Sequence, residues 1–123
     1  MRILVIEDDA FLRKAYQVGL RNQGFDVSLA SDGEIGLRMA EEIRPDAIVL
    51  DILLPKLSGV EVLQQLKVNP SLRNIKVILF SVSCDEEEFQ SILRLGADGY
   101  CSKSDTDLYQ LGQNIRSLCA RNV

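Results

Sequence analysis

The 123-residue chain contains no histidine. That absence excludes imidazole-based metal sites, histidine-dependent catalytic triads and imidazole acid–base chemistry. Cysteine is sparse: Cys84, Cys101 and Cys119 are odd in number, widely spaced and never in a CxxC pattern. Neither a disulfide framework nor a CxxC motif fits them, and unpaired thiols in a reducing cytosol are expected. The first residues lack the basic, apolar and small-residue zones of a signal peptide, and no apolar run is long enough to span a bilayer. The expectation is therefore cytoplasmic, with no membrane partner. No internal repeat, low-complexity segment or Pro/Gly/Ser linker divides the chain, so one domain over residues 1–123 is expected. Acids exceed bases by 18 to 14, and the formal charge of −4 gives no general reason for direct nucleic-acid binding.

What is present is an alternation of two kinds of segment. Short apolar runs stand at 2–6 (RILVI), 26–30 (DVSLA), 47–50 (AIVL), 76–80 (KVILF) and 99–102 (GYCS). Stretches of helical spacing lie between and after them. Leu12, Ala15, Tyr16 and Leu20 form one apolar stripe that stops before Gly24. SDGE (31–34) and SGVE (58–61) each read as a helix start with a capping box. RPD (44–46) ends the second helix. Asp85 to Glu88 load acids into the first turn of a fourth helix that ends at Gly96. A fifth helix is predicted from about Asp105 to Ala120, with Leu108, Leu111, Ile115, Leu118 and Cys119 on one face.

This order is (βα)₅, an α/β fold with a parallel sheet covered by helices on both faces. Runs one, three and four are apolar throughout, as strands buried on both faces must be. The second alternates and the fifth is short, so these two are the expected sheet edges.

Open parallel sheets collect function beyond the carboxyl ends of their strands. Those ends carry Glu7 and Asp8, then Asp51, Ser81 and Lys103. Singly, each has a plain structural role: an acid after a strand usually caps a helix, as Asp9 is expected to do. Together they gather three carboxylates, a hydroxyl and an amine on one rim. Crowded carboxylates are costly without a cation among them, and a hard divalent ion such as Mg²⁺ is the natural counterion. A carboxylate also attacks phosphorus to give an aspartyl phosphate. The transferring group then needs positive charge and a hydrogen-bond donor, which Lys103 and Ser81 offer.

The segments ILVIEDD, DAIVLDILLPKLSG, KVILFS and GADGYCSK make the chain resemble a receiver domain of the two-component response regulators over residues 2–121. The resemblance implies the flavodoxin-like strand order 2-1-3-4-5. It makes Asp51 the phosphoacceptor, charged by the phosphohistidine of a histidine kinase or histidine phosphotransfer protein. It assigns Mg²⁺ to Asp8, Asp51 and the backbone carbonyl of Leu53, with Glu7 acting through water. Ser81 would hydrogen-bond the phosphoryl oxygen and Lys103 would pair with it. An inward shift of Ser81 would let Tyr100 rotate, remodelling the face of helix four, strand five and helix five. The same resemblance leaves room for an effector domain or effector protein, and for a homodimer formed on phosphorylation.

The chain departs from the family at four positions. Ser104 stands where Pro, usually on a cis peptide, often follows the lysine. Val82 is larger than the small residue common after Ser81. Leu53 and Ser83 occupy positions that tune dephosphorylation, and neither offers a group to orient an attacking water. Two enzyme or cofactor folds fit less well. A haloacid-dehalogenase-like phosphatase wants a second Asp where Leu53 stands. A flavin-binding flavodoxin needs a hydroxyl- and Gly-rich loop where EDDAF stands.

Overall fold

Five strands and five helices alternate along the chain. They are β1 (Arg2–Ile6), α1 (Ala10–Arg21), β2 (Asp26–Ala30), α2 (Gly33–Ile43), β3 (Ala47–Leu50), α3 (Gly59–Val68), β4 (Lys76–Ser81), α4 (Glu86–Arg94), β5 (Gly99–Ser102) and α5 (Leu108–Ala120). The computed structural model describes residues 1–82 and 85–120. Ser83 and Cys84, two positions singled out in the sequence, lie outside the described residues. The strands form one parallel sheet in the order β2-β1-β3-β4-β5, so the fold is flavodoxin-like and β2 and β5 are its edges.

Alternation along each strand divides the core in two. Leu4, Ile6, Ile48, Leu50, Val77 and Leu79 face α2, α3 and α4, where Ala40, Val62, Leu63, Leu66 and Ile92 meet them. Ile3, Val5, Val49, Ile78 and Phe80 face α1 and α5 and pack on Tyr16, Leu20, Leu111 and Ile115. Residues 3–6, 47–50 and 77–80 of the three central strands are therefore all apolar, because both faces are buried there. No helix among the described residues is long and apolar enough to cross a membrane.

Local chemistry sets where the helices start and stop. Asp9 caps α1, its side chain accepting from Leu12 N at 3.0 Å. Gly24, at φ +95°, turns the chain out of α1 toward β2. Ser58 and Glu61 form the expected capping box at α3, and Asp85 with Glu88 forms another at α4. Helix α2 begins one residue later than expected: Asp32, not Ser31, is the cap, accepting from Ile35 N at 2.9 Å. A carboxylate competes well with a hydroxyl for this position, and the Lys56 ammonium lies 3.5 Å from it. The Ile35 amide, with Lys56 adding to it, holds the Asp32 carboxyl below its ordinary value. Helix α2 ends on a left-handed Arg44 (φ 50°) ahead of Pro45, so the cap conformation as well as the proline stops it. Helix α5 begins at Leu108 rather than near Asp105. Asp107 and Gln110 pair reciprocally there, each backbone N–H donating to the other's side-chain oxygen, and residues 103–107 form a turn and a short link.

The link from β3 to α3 is unusually tight. Gly59 N–H donates to Ile52 C=O at 2.7 Å, and a Cβ on Gly59 would sit 2.6 Å from Ile52 Cα and against the Asp51 carbonyl. Both neighbours are backbone, which cannot step aside as a side-chain tip would. Gly59→Ala should therefore cost about 1–3 kcal/mol, the usual penalty for overpacking. The urea midpoint should fall, and an unchanged midpoint would show that the loop yields freely.

Candidate functional site

Parallel strands deliver their carboxyl ends to one edge of the sheet, and the register of β1, β3 and β4 sets three of those ends side by side. Glu7 follows β1, Asp51 follows β3, Ser81 closes β4 and Lys103 follows β5. Glu7, Asp51 and Ser81 are buried. Asp8 is exposed, at the mouth of the same cluster. Carboxylate oxygens of Glu7, Asp8 and Asp51 lie within 4.8 Å of one another.

Lys103 sits between the two buried acids. Its Nζ donates to Glu7 Oε1 at 2.6 Å and to Asp51 Oδ2 at 2.9 Å. The other Asp51 oxygen, Oδ1, accepts from Ser81 Oγ and from Leu53 N, each at 3.2 Å. Both oxygens of Asp51 are thus oriented, one by a charge and one by two neutral donors. Burial pushes the Glu7 carboxyl above its ordinary value of 4.5, the Lys103 hydrogen bond opposes that shift, and the nearby Asp51 charge adds to it. Burial alone would lower the Lys103 ammonium, but Glu7 and Asp51 outweigh it and the net shift is upward. Lys103 is therefore a fixed positive charge at neutral pH.

The remaining predicted residues take different places. Leu53 brings its backbone N–H to Asp51 while its side chain is 73% exposed. Val82 is also exposed, at 62%. Tyr100, on edge strand β5, does not join the acidic cluster. It is half-buried and meets Phe89 of α4 edge-on, with ring centroids 5.8 Å apart.

At Ser104 the turn is built from hydroxyls instead of a proline ring. Ser102 Oγ donates to Val82 C=O at 3.0 Å and lies 2.8 Å from Ser104 Oγ. Asp105 and Thr106 N–H both return to Ser102 C=O. No cis peptide occurs among the described residues.

Three contacts escaped the sequence. Tyr16, read as a core residue of helix one, also lies beneath Lys103, with Nζ 5.9 Å from its ring centre. Ser102 ties the loop after β5 to the loop after β4. Arg13 reaches back along α1 to the carbonyls of Glu7 and Asp8, at 3.0 and 2.9 Å. The sequence offered only a weak sign of this last contact, a basic residue one turn into the helix that follows the acids.

The cluster pairs an oriented, buried carboxylate with a cation, a hydroxyl donor and an oxygen-rich acidic mouth. Known proteins share the fold that carries it. The model of the response regulator receiver domain matches residues 3–115. The chain is 40% identical over 104 residues to the alkaline phosphatase synthesis transcriptional regulatory protein PhoP of Bacillus subtilis, covering 83% of this chain and 42% of that protein. It is 38% identical over 120 residues to the transcriptional regulatory protein PrrA of Mycobacterium leprae, covering 98% of this chain and 50% of that one. The chain thus spans about half the length of the curated relatives it matches. Among solved structures, a Francisella response regulator receiver domain superimposes with a TM-score of 0.90 at 26% identity, over 99% of this chain and 98% of that one. The receiver domain of a sensor histidine kinase from Pseudomonas aeruginosa, solved with a magnesium ion in its active site cleft, superimposes with a TM-score of 0.87 at 25% identity, over 97% of each chain. The chain belongs to the response regulator receiver domain family of two-component signalling.

Proposed function

We propose that the chain is a phosphorylation-switched signalling module in which Asp51 accepts a phosphoryl group from the phosphohistidine of a histidine kinase or histidine phosphotransfer protein. The observation that carries this reading is the convergence of Lys103 and Ser81 on opposite oxygens of one buried carboxylate. An Asp51 oxygen attacks phosphorus, the P–N bond to the imidazole breaks, and its electron pair leaves with the nitrogen. The product is an acyl phosphate on Asp51. Lys103 and Ser81 are placed to follow the new phosphoryl oxygens with charge and a hydroxyl. No external substrate is turned over.

The acidic mouth suits a hard divalent cation. All the donors are oxygens, and three carboxylates against one directly bonded ammonium leave a formal excess of two negative charges. Asp8, Asp51 and the Leu53 carbonyl would hold Mg²⁺, with Glu7 acting through water. When bound, it supplies charge against the negative oxygens of the transferring group. The magnesium in the cleft of the Pseudomonas receiver domain supports the same assignment.

In this reading Ser81 and Tyr100 are the switch. Tyr100 rests on Phe89, so its rotation would alter the packing of α4 and with it the face of α4, β5 and α5. An effector domain or effector protein would read that face, and phosphorylation would favour a homodimer through it. The transcriptional regulators among the relatives fit such an output. Residues 1–123 act as one receiver domain in the cytoplasm, without direct contact to nucleic acid or membrane.

Incubation with acetyl phosphate and Mg²⁺ should add one phosphoryl group by intact-mass spectrometry, and Asp51→Asn should abolish the addition. An unmodified wild type would overturn the proposal. Lys103→Met should leave Glu7 and Asp51 buried without their cation, at a cost of about 3 kcal/mol near neutral pH. The pH dependence has a definite sign. Glu7 is already raised above 4.5, and losing Lys103 raises it further. The protonated carboxyl then favours the folded state, so the defect should shrink as pH falls from about 8 to about 5. Urea denaturation at both pH values checks this, and a defect of equal size at both would point to lost packing instead.

A further inference from the structure

Three consecutive carbonyls, those of Glu7, Asp8 and Asp9, turn toward one residue. Arg13 takes the first two with a single guanidinium nitrogen, Nη1, at 3.0 and 2.9 Å, and the third with its backbone N–H at 2.9 Å. The last is an ordinary helical bond, but the first two are not. Past the end of β1, Glu7 N–H still donates to Ala30 C=O and Asp9 N–H donates to Glu7 Oε2 at 3.3 Å, while the Glu7 and Asp8 carbonyls are taken by Arg13.

We propose that Arg13 is a positioning residue for the divalent-cation site, fixing the peptide planes of Glu7 and Asp8 and so the directions in which their carboxylates leave the backbone. This rests on the Mg²⁺ reading above and extends it to a residue outside the ligand set.

The division of labour between the two cations is what makes Arg13 suited to this. Lys103 bonds directly to carboxylate oxygens of Glu7 and Asp51. Arg13 bonds only to carbonyls, so it holds the loop while leaving carboxylate oxygens available to a metal. The carbonyls also accept a charge-assisted bond, stronger than a neutral donor would give. The planar guanidinium fixes the two N–H directions of Nη1, which suits two successive carbonyls better than the freely rotating ammonium of a lysine.

Position and charge predict opposite signs for the same substitution. Removing a positive charge near an acidic pocket would, through space alone, tighten Mg²⁺ binding. Removing a clamp that orients the ligands would weaken it, by roughly tenfold where partners outside the ligand set have this role.

The test is calorimetric Mg²⁺ titration of wild type, Arg13→Met and Arg13→Lys, with thermal unfolding in EDTA to confirm that each is folded. Arg13→Met, which keeps the stem but neither charge nor donor, should bind Mg²⁺ roughly tenfold more weakly than wild type. Arg13→Lys, which keeps the charge but not the fixed N–H directions, should fall between the two. Unchanged or tighter binding in Arg13→Met would overturn the proposal and leave the metal site intact. Should Arg13→Met fail to fold, Arg13→Lys decides: wild-type affinity there would overturn it. A wild type that binds no Mg²⁺ would overturn the metal reading itself, and this proposal with it.

Discussion

The Lys103 ammonium between Glu7 and Asp51 is the contact on which the rest of this structure turns. Two unit charges of like sign about 4 Å apart repel by about 4 kcal/mol at an effective dielectric constant of about 20. That is a large share of the roughly 5–15 kcal/mol that stabilises an ordinary domain. The sheet nonetheless delivers Glu7 and Asp51 to adjacent strand ends and buries both. Lys103 offsets this only in part. Asp8 adds a third carboxylate within 4.8 Å, and the excess negative charge would favour a divalent cation among them. One cation thus holds the site, and a second would relieve the repulsion that the first leaves.

The scaffold supplies the rigidity that such a site needs. Three central strands with apolar, doubly buried interiors lock the register of their own ends, and helices on both faces close off any slip. The loop from β3 to α3 adds local constraint. Gly59 presses on the Asp51 backbone, and Leu57 N–H returns to Pro55 C=O around a left-handed Lys56 (φ 67°). The loops after β4 and β5 are joined to each other by Ser102 Oγ on the Val82 carbonyl. Chain segments far apart in sequence therefore fix Asp51, Ser81 and Lys103 as one group.

Much of this was legible in the sequence because it follows from topology. Once ILVI, AIVL and KVILF are read as buried parallel strands, Glu7, Asp51 and Ser81 must share one edge. The same logic carries Lys103, which follows the short fifth run. Side-chain reach, by contrast, is not written in spacing. SDGE fits a cap at Ser31 or at Asp32, and only the nearby Lys56 and the Ile35 amide show why the carboxylate is used. The fifth helix starts late because Ser102 and Ser104 form a turn among themselves where a proline was the familiar solution. Tyr16 satisfied the apolar stripe of helix one, so its second role beneath Lys103 left no separate trace. Arg13 had no part in the sequence reading, because spacing does not show that its side chain folds back to the Glu7 and Asp8 carbonyls.

Relief of the repulsion among Glu7, Asp8 and Asp51 by a divalent cation would be read in thermal unfolding across a Mg²⁺ titration. With the ionic strength held constant by NaCl, the melting temperature should climb by roughly 10 °C once Mg²⁺ stands a hundredfold above its Kd. Asp51→Asn, with one repelling charge removed, should begin higher in EDTA and climb less. A wild-type melting temperature that stays flat from sub-millimolar to tens of millimolar Mg²⁺ would mean that the three carboxylates take up no divalent cation.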